Sequence, residues 1–442
     1  MERIRSYRAQ LYAHVRSYWE SKSTPWITQL HGETGMGKTT LAQSYLEAFG
    51  GQYFSFQNLD ATFAPRIFLP GCKLWKDFFA EIGETKNRPV IFFDDVDDKN
   101  DKEDFLNALL ALTGKVYVVL IVRTQMELPF PSNVIQMKAI TVPMLLAENK
   151  ALEQLDALRI IAITNGIPGL VRLFDFQKSF AKNLQSLFVH DSAYFRYAES
   201  ELRRSFRTPE TYNILLYGMA TGHNRISQLS EFSGFPQNKC DKYLKALDKA
   251  GLLESVQKKD AAGHVRTHYY PKDGYWKAWF RYVFPSQGRY HEVQKGEALQ
   301  QLADEIDKTV VAEYFKKVCW NWLEKNYHSC YWDGLLKFDD PKQRDVMVNG
   351  VRFDYVQETK NHAIYVKIWN NIREGFPKEA FQKMEAATTL VRPFYDNIYY
   401  LFSAGRACNY VEELRHLDTV AVVGLKSLLG RKNNKIFEMD NL

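Results

Sequence analysis

Between the apolar run Trp26 to Leu30 and a helix-forming stretch, Thr39 to Phe49, stands Gly32-Glu33-Thr34-Gly35-Met36-Gly37-Lys38-Thr39. Three glycines, a lysine and a hydroxyl at this spacing limit the possible folds more than any other feature of the chain. A backbone loop that wraps an anion turns its N–H groups inward, and side chains at the glycine positions would block the approach. The helix that starts there adds the positive end of its dipole. Lys38 offers a point charge to the β and γ phosphates of a nucleotide, and the Thr39 hydroxyl suits Mg²⁺. Glu33, Thr34, Met36 and the following Thr40 belong to the same segment. The expectation is a site for ATP and Mg²⁺. The competing reading, a glycine-rich turn without a ligand, requires the full pattern to arise by coincidence between a strand and a helix.

A second run, Val90-Ile91-Phe92-Phe93-Asp94-Asp95, reads as a buried strand that delivers carboxylates at its C-terminal end. Asp94 there can hold Mg²⁺ through its water shell. Asp95 stands where many ATPases place a glutamate that activates water, one methylene longer. The same aspartates, with Asp97 and Asp98, also suit a helix cap. Arg123 follows the most β-branched run of the chain, VYVVLIV. It would lie near a γ-phosphate if the strands are neighbours, or on the surface if they are not.

Strands and helices alternate through the first part of the chain. Helix 1–24 carries Leu11, Val15 and Trp19 at helical spacing, strands follow at 26–30, 52–56, 89–93 and 116–122, and helices lie between them at 39–49, 74–82 and 102–112. This order predicts an α/β fold with a parallel sheet covered on both faces. From 147 to about 250 the pattern is helical. A hairpin follows at 252–270 with its turn at 260–263. Mixed α and β returns from about 300: a helix at 299–325, strands at 344–348, 351–356, 363–369 and 397–402, and a helix at 377–390.

With 442 residues the chain needs more than one core. Residues 201–281 hold fourteen Lys and Arg against eight Asp and Glu, an excess equal to the formal charge of +6 of the whole chain. Such a segment is either one nucleic-acid-contacting domain or a solvated face. Five scattered cysteines (Cys72, Cys240, Cys319, Cys330, Cys408) give no zinc-ligand spacing and read as reduced thiols. No apolar stretch is long enough to cross a membrane and no secretory signal is visible, so the expected location is the cytoplasm, with no membrane contact.

The two nucleotide motifs, the strand end Arg123-Thr124 and the turn Asn165-Gly166-Ile167-Pro168-Gly169-Leu170 together resemble archaeal-type ATPases of the signal-transducing STAND group. Lys277 to Pro285 (KAWFRYVFP) is similar to the stretch between the winged-helix and C-terminal domains of that group, and Tyr399 to Gly405 (YYLFSAG) to its late strand and turn. The resemblance implies an ATPase core at 1–146, a helical lid at 147–200 and a winged helix-turn-helix at 201–285. It also implies a restriction-endonuclease-like domain at 295–442. Gly166 and Pro168 would mark the lid segment that senses nucleotide, although Gly and Pro break helices anywhere.

The pattern at 207–270 fits a winged helix without that resemblance, with helices at 210–220, 225–232 and 238–250. The last places Tyr243, Leu244 and Leu247 inward and Lys239, Lys242, Lys245 and Lys249 outward. These lysines, with Lys258, Lys259 and Arg266, could meet DNA phosphates. No Arg or Gln cluster suits base reading, and many such modules contact only protein. In the C-terminal part, a nuclease of the restriction type would pair Asp354 with a carboxylate two residues before Lys367. That position is Tyr365, and a shift of one gives Val366. Glu313 is the remaining acidic candidate, so a domain without cleavage is expected. The whole reads as an ATP-binding, slowly hydrolysing switch, associated with DNA or with a protein partner. The alternatives are an ATP-dependent DNA-processing nuclease and a non-enzymatic DNA-binding regulator.

Overall fold

The computed structural model describes residues 2–21, 24–83, 90–96, 102–189, 191–259, 264–285, 296–326, 344–358, 362–391, 396–405, 408–414, 417 and 419–429. It divides into two compact units, Met1–Ala139 with Ile167–Gly169, and Ile140–Gly166 with Leu170–Leu442.

The first unit is built on a five-stranded sheet of β1 (Ile27–His31), β2 (Gln52–Ser55), β3 (Val90–Asp94), β4 (Tyr117–Val122) and β5 (Asn133–Gln136), in the order β2-β3-β4-β1-β5. Every pairing is parallel. β3 and β4 are buried at every position, as expected where helices cover both faces of a sheet. Helix Trp75–Gly83 shows why sequence spacing produces this layer. Its Trp75, Phe78, Phe79 and Ile82 recur at helical intervals and are all buried. The rings of Trp75, Phe78 and Phe79 meet Phe56, Phe93 and Phe105, with centroids 4.8–6.5 Å apart. In helix Glu2–Ser21, Leu11 and Val15 are buried as expected. The third buried position is Tyr18 in place of the expected Trp19, and its hydroxyl accepts the Gly114 N–H at 3.0 Å.

In the second unit, helices Val142–Glu148, Gln154–Thr164, Phe180–Leu187 and Ala193–Ser205 come first. Helices Glu210–Ala220, Ile226–Ser233 and Gln237–Lys249 then lead into an antiparallel hairpin, β6 (Leu253–Lys259) and β7 (Val265–Pro271). The expected turn at 260–263 and the Lys259 side chain lie outside the described residues, as do Asp97, Asp98 and Cys330. Leu244 and Leu247 of helix Gln237–Lys249 are buried with Cys240. Tyr243, expected to face inward with them, is half-buried against Tyr212 and Phe235.

The helix expected at 299–325 is interrupted. Two α-segments, Gly296–Ile306 and Ala312–Asn326, flank a π-turn at Asp307–Val311. A separate mixed sheet follows, β8 (Arg344–Val348), β9 (Val351–Glu358), β10 (His362–Ile368), β11 (Asp396–Ser403) and β12 (Val420–Gly424), in the order β12-β11-β10-β9-β8. β8, β9 and β10 are antiparallel neighbours, whereas β10, β11 and β12 run parallel. Among the described residues no helix is long and apolar enough to cross a membrane.

Candidate functional site: the loop at the end of the parallel sheet

The loop after β1 needs its glycines. Gly32, Gly35 and Gly37 have φ of +156°, +79° and +92°, a region that side chains disfavour. A Cβ on Gly32 would stand 3.0 Å from the Met137 carbonyl oxygen. Gly37 then caps helix Lys38–Phe49 in the left-handed conformation. Lys38 lies back along its own loop, and its Nζ donates to the carbonyls of Gly32 (2.5 Å) and Glu33 (3.0 Å). Glu33, Thr34 and Gly35 are half-buried, Met36 is buried, and Thr39 and Thr40 are exposed at the first turn of the helix. Burial, and then the charge of Lys38, lower the pKa of His31, the last residue of β1, below its ordinary value.

Asp94 ends β3 with its side chain buried. One carboxylate oxygen accepts from the Thr39 hydroxyl at 2.9 Å and from the Tyr53 hydroxyl at 2.5 Å, while the other accepts the Asp95 N–H at 2.8 Å. Thr39 and Asp94, 55 residues apart, therefore meet, as a shared metal site requires. Asp95 takes φ +61°, a left-handed turn that aspartate tolerates better than most residues. β4 lies between β1 and β3, with Val122 opposite His31 and Ile121 opposite Asp94. Arg123, one residue further along, thus leaves the sheet at the same end as the loop and Asp94. Pro168 opens the short helix Pro168–Val171. The residue after it makes the contact: the Gly169 N–H donates to the Gly35 carbonyl at 2.9 Å, and a Cβ on Gly169 would lie 3.2 Å from Gly35. Sequence reasoning missed Gly169, Tyr53 and His31. Only Gly169 carried a signal, as the glycine beside Pro168.

The loop fits a phosphate group by its positive-φ glycines, its helix start and Lys38, and Thr39 with Asp94 fits Mg²⁺ by donor chemistry. Loop backbone N–H groups with Lys38 can hold phosphate oxygens, and two oxygen-bearing side chains can hold a hard cation.

The C-terminal sheet presents a different arrangement. Asp354 on β9 pairs with Lys316 Nζ at 2.6 Å through one oxygen and accepts the Ile368 N–H at 2.8 Å through the other. Tyr365 and Val366 are buried in β10, and Lys367 donates to the Arg352 carbonyl at 2.6 Å. Burial in the first place lowers the Lys367 ammonium below its ordinary range. Glu313 pairs with Lys277 at 2.5 Å, and Lys316 from the same helix reaches Asp354. Among the described residues no group of three or more His, Cys, Asp or Glu could hold a metal ion.

Residues 28–171 match the family model of the ATPase family associated with various cellular activities (AAA). An uncharacterized protein of Methanocaldococcus jannaschii is 26% identical over 92 residues. That match spans 21% of this chain and 21% of the relative's own length. Among solved structures, the chain is similar to a Walker-type ATPase of Pyrococcus abyssi, with 16% identity, 61% of this chain and 94% of that one covered, and a TM-score of 0.39. The Aeropyrum pernix Orc1 protein in complex with DNA is 11% identical, with 68% and 92% covered and a TM-score of 0.36. The Thermotoga maritima RuvB Holliday junction branch migration motor is 15% identical, with 60% and 91% covered and a TM-score of 0.31. The family match falls on the parallel sheet and the loop described above: this chain carries an AAA-family P-loop ATPase domain.

Proposed function

We propose that the chain is an ATP-binding, slowly hydrolysing switch of the STAND type, in which nucleotide at the Gly32–Thr40 loop acts on the turn Asn165–Leu170. The observation that carries this reading is the backbone bond from Gly169 to Gly35. A loop that reshapes around phosphate must carry Gly35 with it, and so bears directly on the segment that joins helix Gln154–Thr164 to helix Pro168–Val171.

Lys38 would release its two carbonyls and turn to the β and γ phosphates. Thr39 and Asp94 would hold Mg²⁺, which would supply charge neutralisation on the phosphate oxygens. Asp95 would orient or deprotonate the attacking water, and its short side chain suits slow turnover. Arg123 would add positive charge near the γ-phosphate, and Pro168 with Gly169 would close one side of the loop. Lys38→Ala tests the reading. ATP affinity by calorimetry should fall by about a hundredfold or more, the size expected for a lost charge-assisted contact to phosphate. Circular dichroism should stay unchanged. A folded variant with full affinity would exclude the loop as the site.

Helices Glu210–Ala220 to Gln237–Lys249 and the β6–β7 hairpin are proposed as a winged helix that associates with duplex DNA. Its support is the exposed row Lys242, Lys245 and Lys249. Lys245 is shared with Asp241 at 2.7 Å, and Lys239 lies 3.9 Å over the Phe235 ring, so the contact would be electrostatic and of modest affinity. Duplex binding indifferent to salt would count against it. The mixed sheet is proposed as a restriction-endonuclease-like domain that does not cleave.

A further inference from the structure

We propose that Tyr53 is a positioning residue of the nucleotide site, which competes with metal-bound water for Asp94 and thereby raises the Mg²⁺ concentration the site requires. The inference rests on the reading of Thr39 and Asp94 as the Mg²⁺ pair.

β2 lies beside β3, with Ser55 opposite Asp94 and Tyr53 opposite Phe92. From there the Tyr53 hydroxyl reaches the Asp94 carboxylate at 2.5 Å, on the same oxygen that accepts from Thr39. An ionised carboxylate can only accept, so the Tyr53 hydroxyl is the donor in this bond. An ionised carboxylate offers about four acceptor positions. Thr39, Tyr53 and the Asp95 N–H use three of them. The three donors have different consequences. Thr39 donates its proton to Asp94, and a hydroxyl oxygen that donates still carries lone pairs able to bind a cation, so its bond is compatible with metal. The Asp95 amide is part of the strand end. Tyr53 alone takes, from another strand, a position that a metal-bound water would use, and its charge-assisted bond withdraws electron density from the carboxylate. A purely structural tyrosine would satisfy a buried carboxylate and leave the Mg²⁺ response alone.

The experiment is a Mg²⁺ titration of ATP-analogue binding by calorimetry, on the full chain and on Tyr53→Phe. The half-saturating Mg²⁺ should fall by about threefold or more, as expected from freeing one charge-assisted hydrogen bond. Affinity for the analogue without Mg²⁺ should be unchanged. Repeated in Asp94→Asn, the substitution at Tyr53 should have no effect on the Mg²⁺ midpoint. A midpoint that is unchanged or raised in Tyr53→Phe overturns the inference, including the case where only thermal stability drops. So does an effect that persists in the Asp94→Asn background. A parent protein whose analogue binding ignores Mg²⁺ overturns the metal reading of Asp94 itself, and is told apart from the other outcomes before any variant is made.

Discussion

Asp95 and Asp94 are neighbours in sequence, yet their environments separate what each can do. Asp94 is buried and holds three donors, whereas Asp95 is half-buried on a left-handed turn beyond the strand end. A base acts only on the attacking water, so Asp95→Asn should leave ATP affinity within about twofold and slow hydrolysis at least tenfold, in line with general-base contributions of about a hundredfold. Equal turnover in Asp95→Asn and the parent, measured as phosphate release, would remove Asp95 from the mechanism. At this scale the legible residues are those whose spacing is local. Gly32 to Thr39 form one continuous loop, and Asp94 is set by the end of its own strand, so both were readable from the sequence. Tyr53, 41 residues from Asp94, joins it only through strand register. Lys316 meets Asp354 only because one helix crosses a sheet formed later in the chain. No periodicity encodes such contacts.

Elements read well where one face is apolar and poorly where a polar group shapes the helix. The segment expected as one helix at 299–325 breaks into a π-turn at Asp307, the residue that gathers two arginines. Arg159 from helix Gln154–Thr164 bonds both Asp307 oxygens at 2.9 and 2.7 Å, and Arg373 reaches the same carboxylate at 2.6 Å. Sequence periodicity has no term for an inserted residue, so the bulge was invisible, although such turns often sit at specialised positions. β5 was also unread, because four residues with one buried position carry almost no pattern. β12 was unread too, although VAVV is a β-branched run of the same kind as VYVVLIV. The Asp307 side chain is 2% exposed and that of Arg159 14%, so removing Arg159 takes two guanidinium bonds from a buried charge and leaves it the one from Arg373. Arg159→Leu should destabilise the second unit by about 2–4 kcal/mol, and Arg373→Leu, 33% exposed, by under about 1 kcal/mol. Urea unfolding followed by tryptophan fluorescence would check this. The double variant Arg159→Leu with Asp307→Leu should recover part of the loss, because no charge is then left buried alone. Equal small losses for both arginine variants would show that Asp307 does not depend on Arg159.

For the whole molecule, the first unit was the more legible because a motif fixes its sheet, its helix start and its site together. The second unit disclosed its helices and hairpin but left the chemistry of its mixed sheet to be decided by tertiary contacts. Those contacts argue against DNA cleavage, even if the lysine row brings the protein onto a duplex. A nuclease of the restriction type needs two carboxylates on one divalent cation, and Asp354 has no such partner at Tyr365 or Val366. Glu313, the acidic candidate from the sequence, is engaged with Lys277. The ammonium of Lys316 stands 2.6 Å from Asp354 and 3.6 Å from Asp345, so a positive charge already neutralises the carboxylate a metal would need. A divalent cation would have to displace that ammonium from Asp354 and Asp345, an unfavourable exchange for Mg²⁺. Mn²⁺ accepts nitrogen and water ligands more readily and is the more searching condition. Plasmid incubated with the protein and either metal, with and without ATP, should stay supercoiled, while the protein still retards duplex at low salt. Asp354→Ala serves as the contamination control. Nicking that disappears in Asp354→Ala would mean that Lys316 yields to metal and that the domain cleaves DNA after all; nicking that persists there would come from another protein in the preparation.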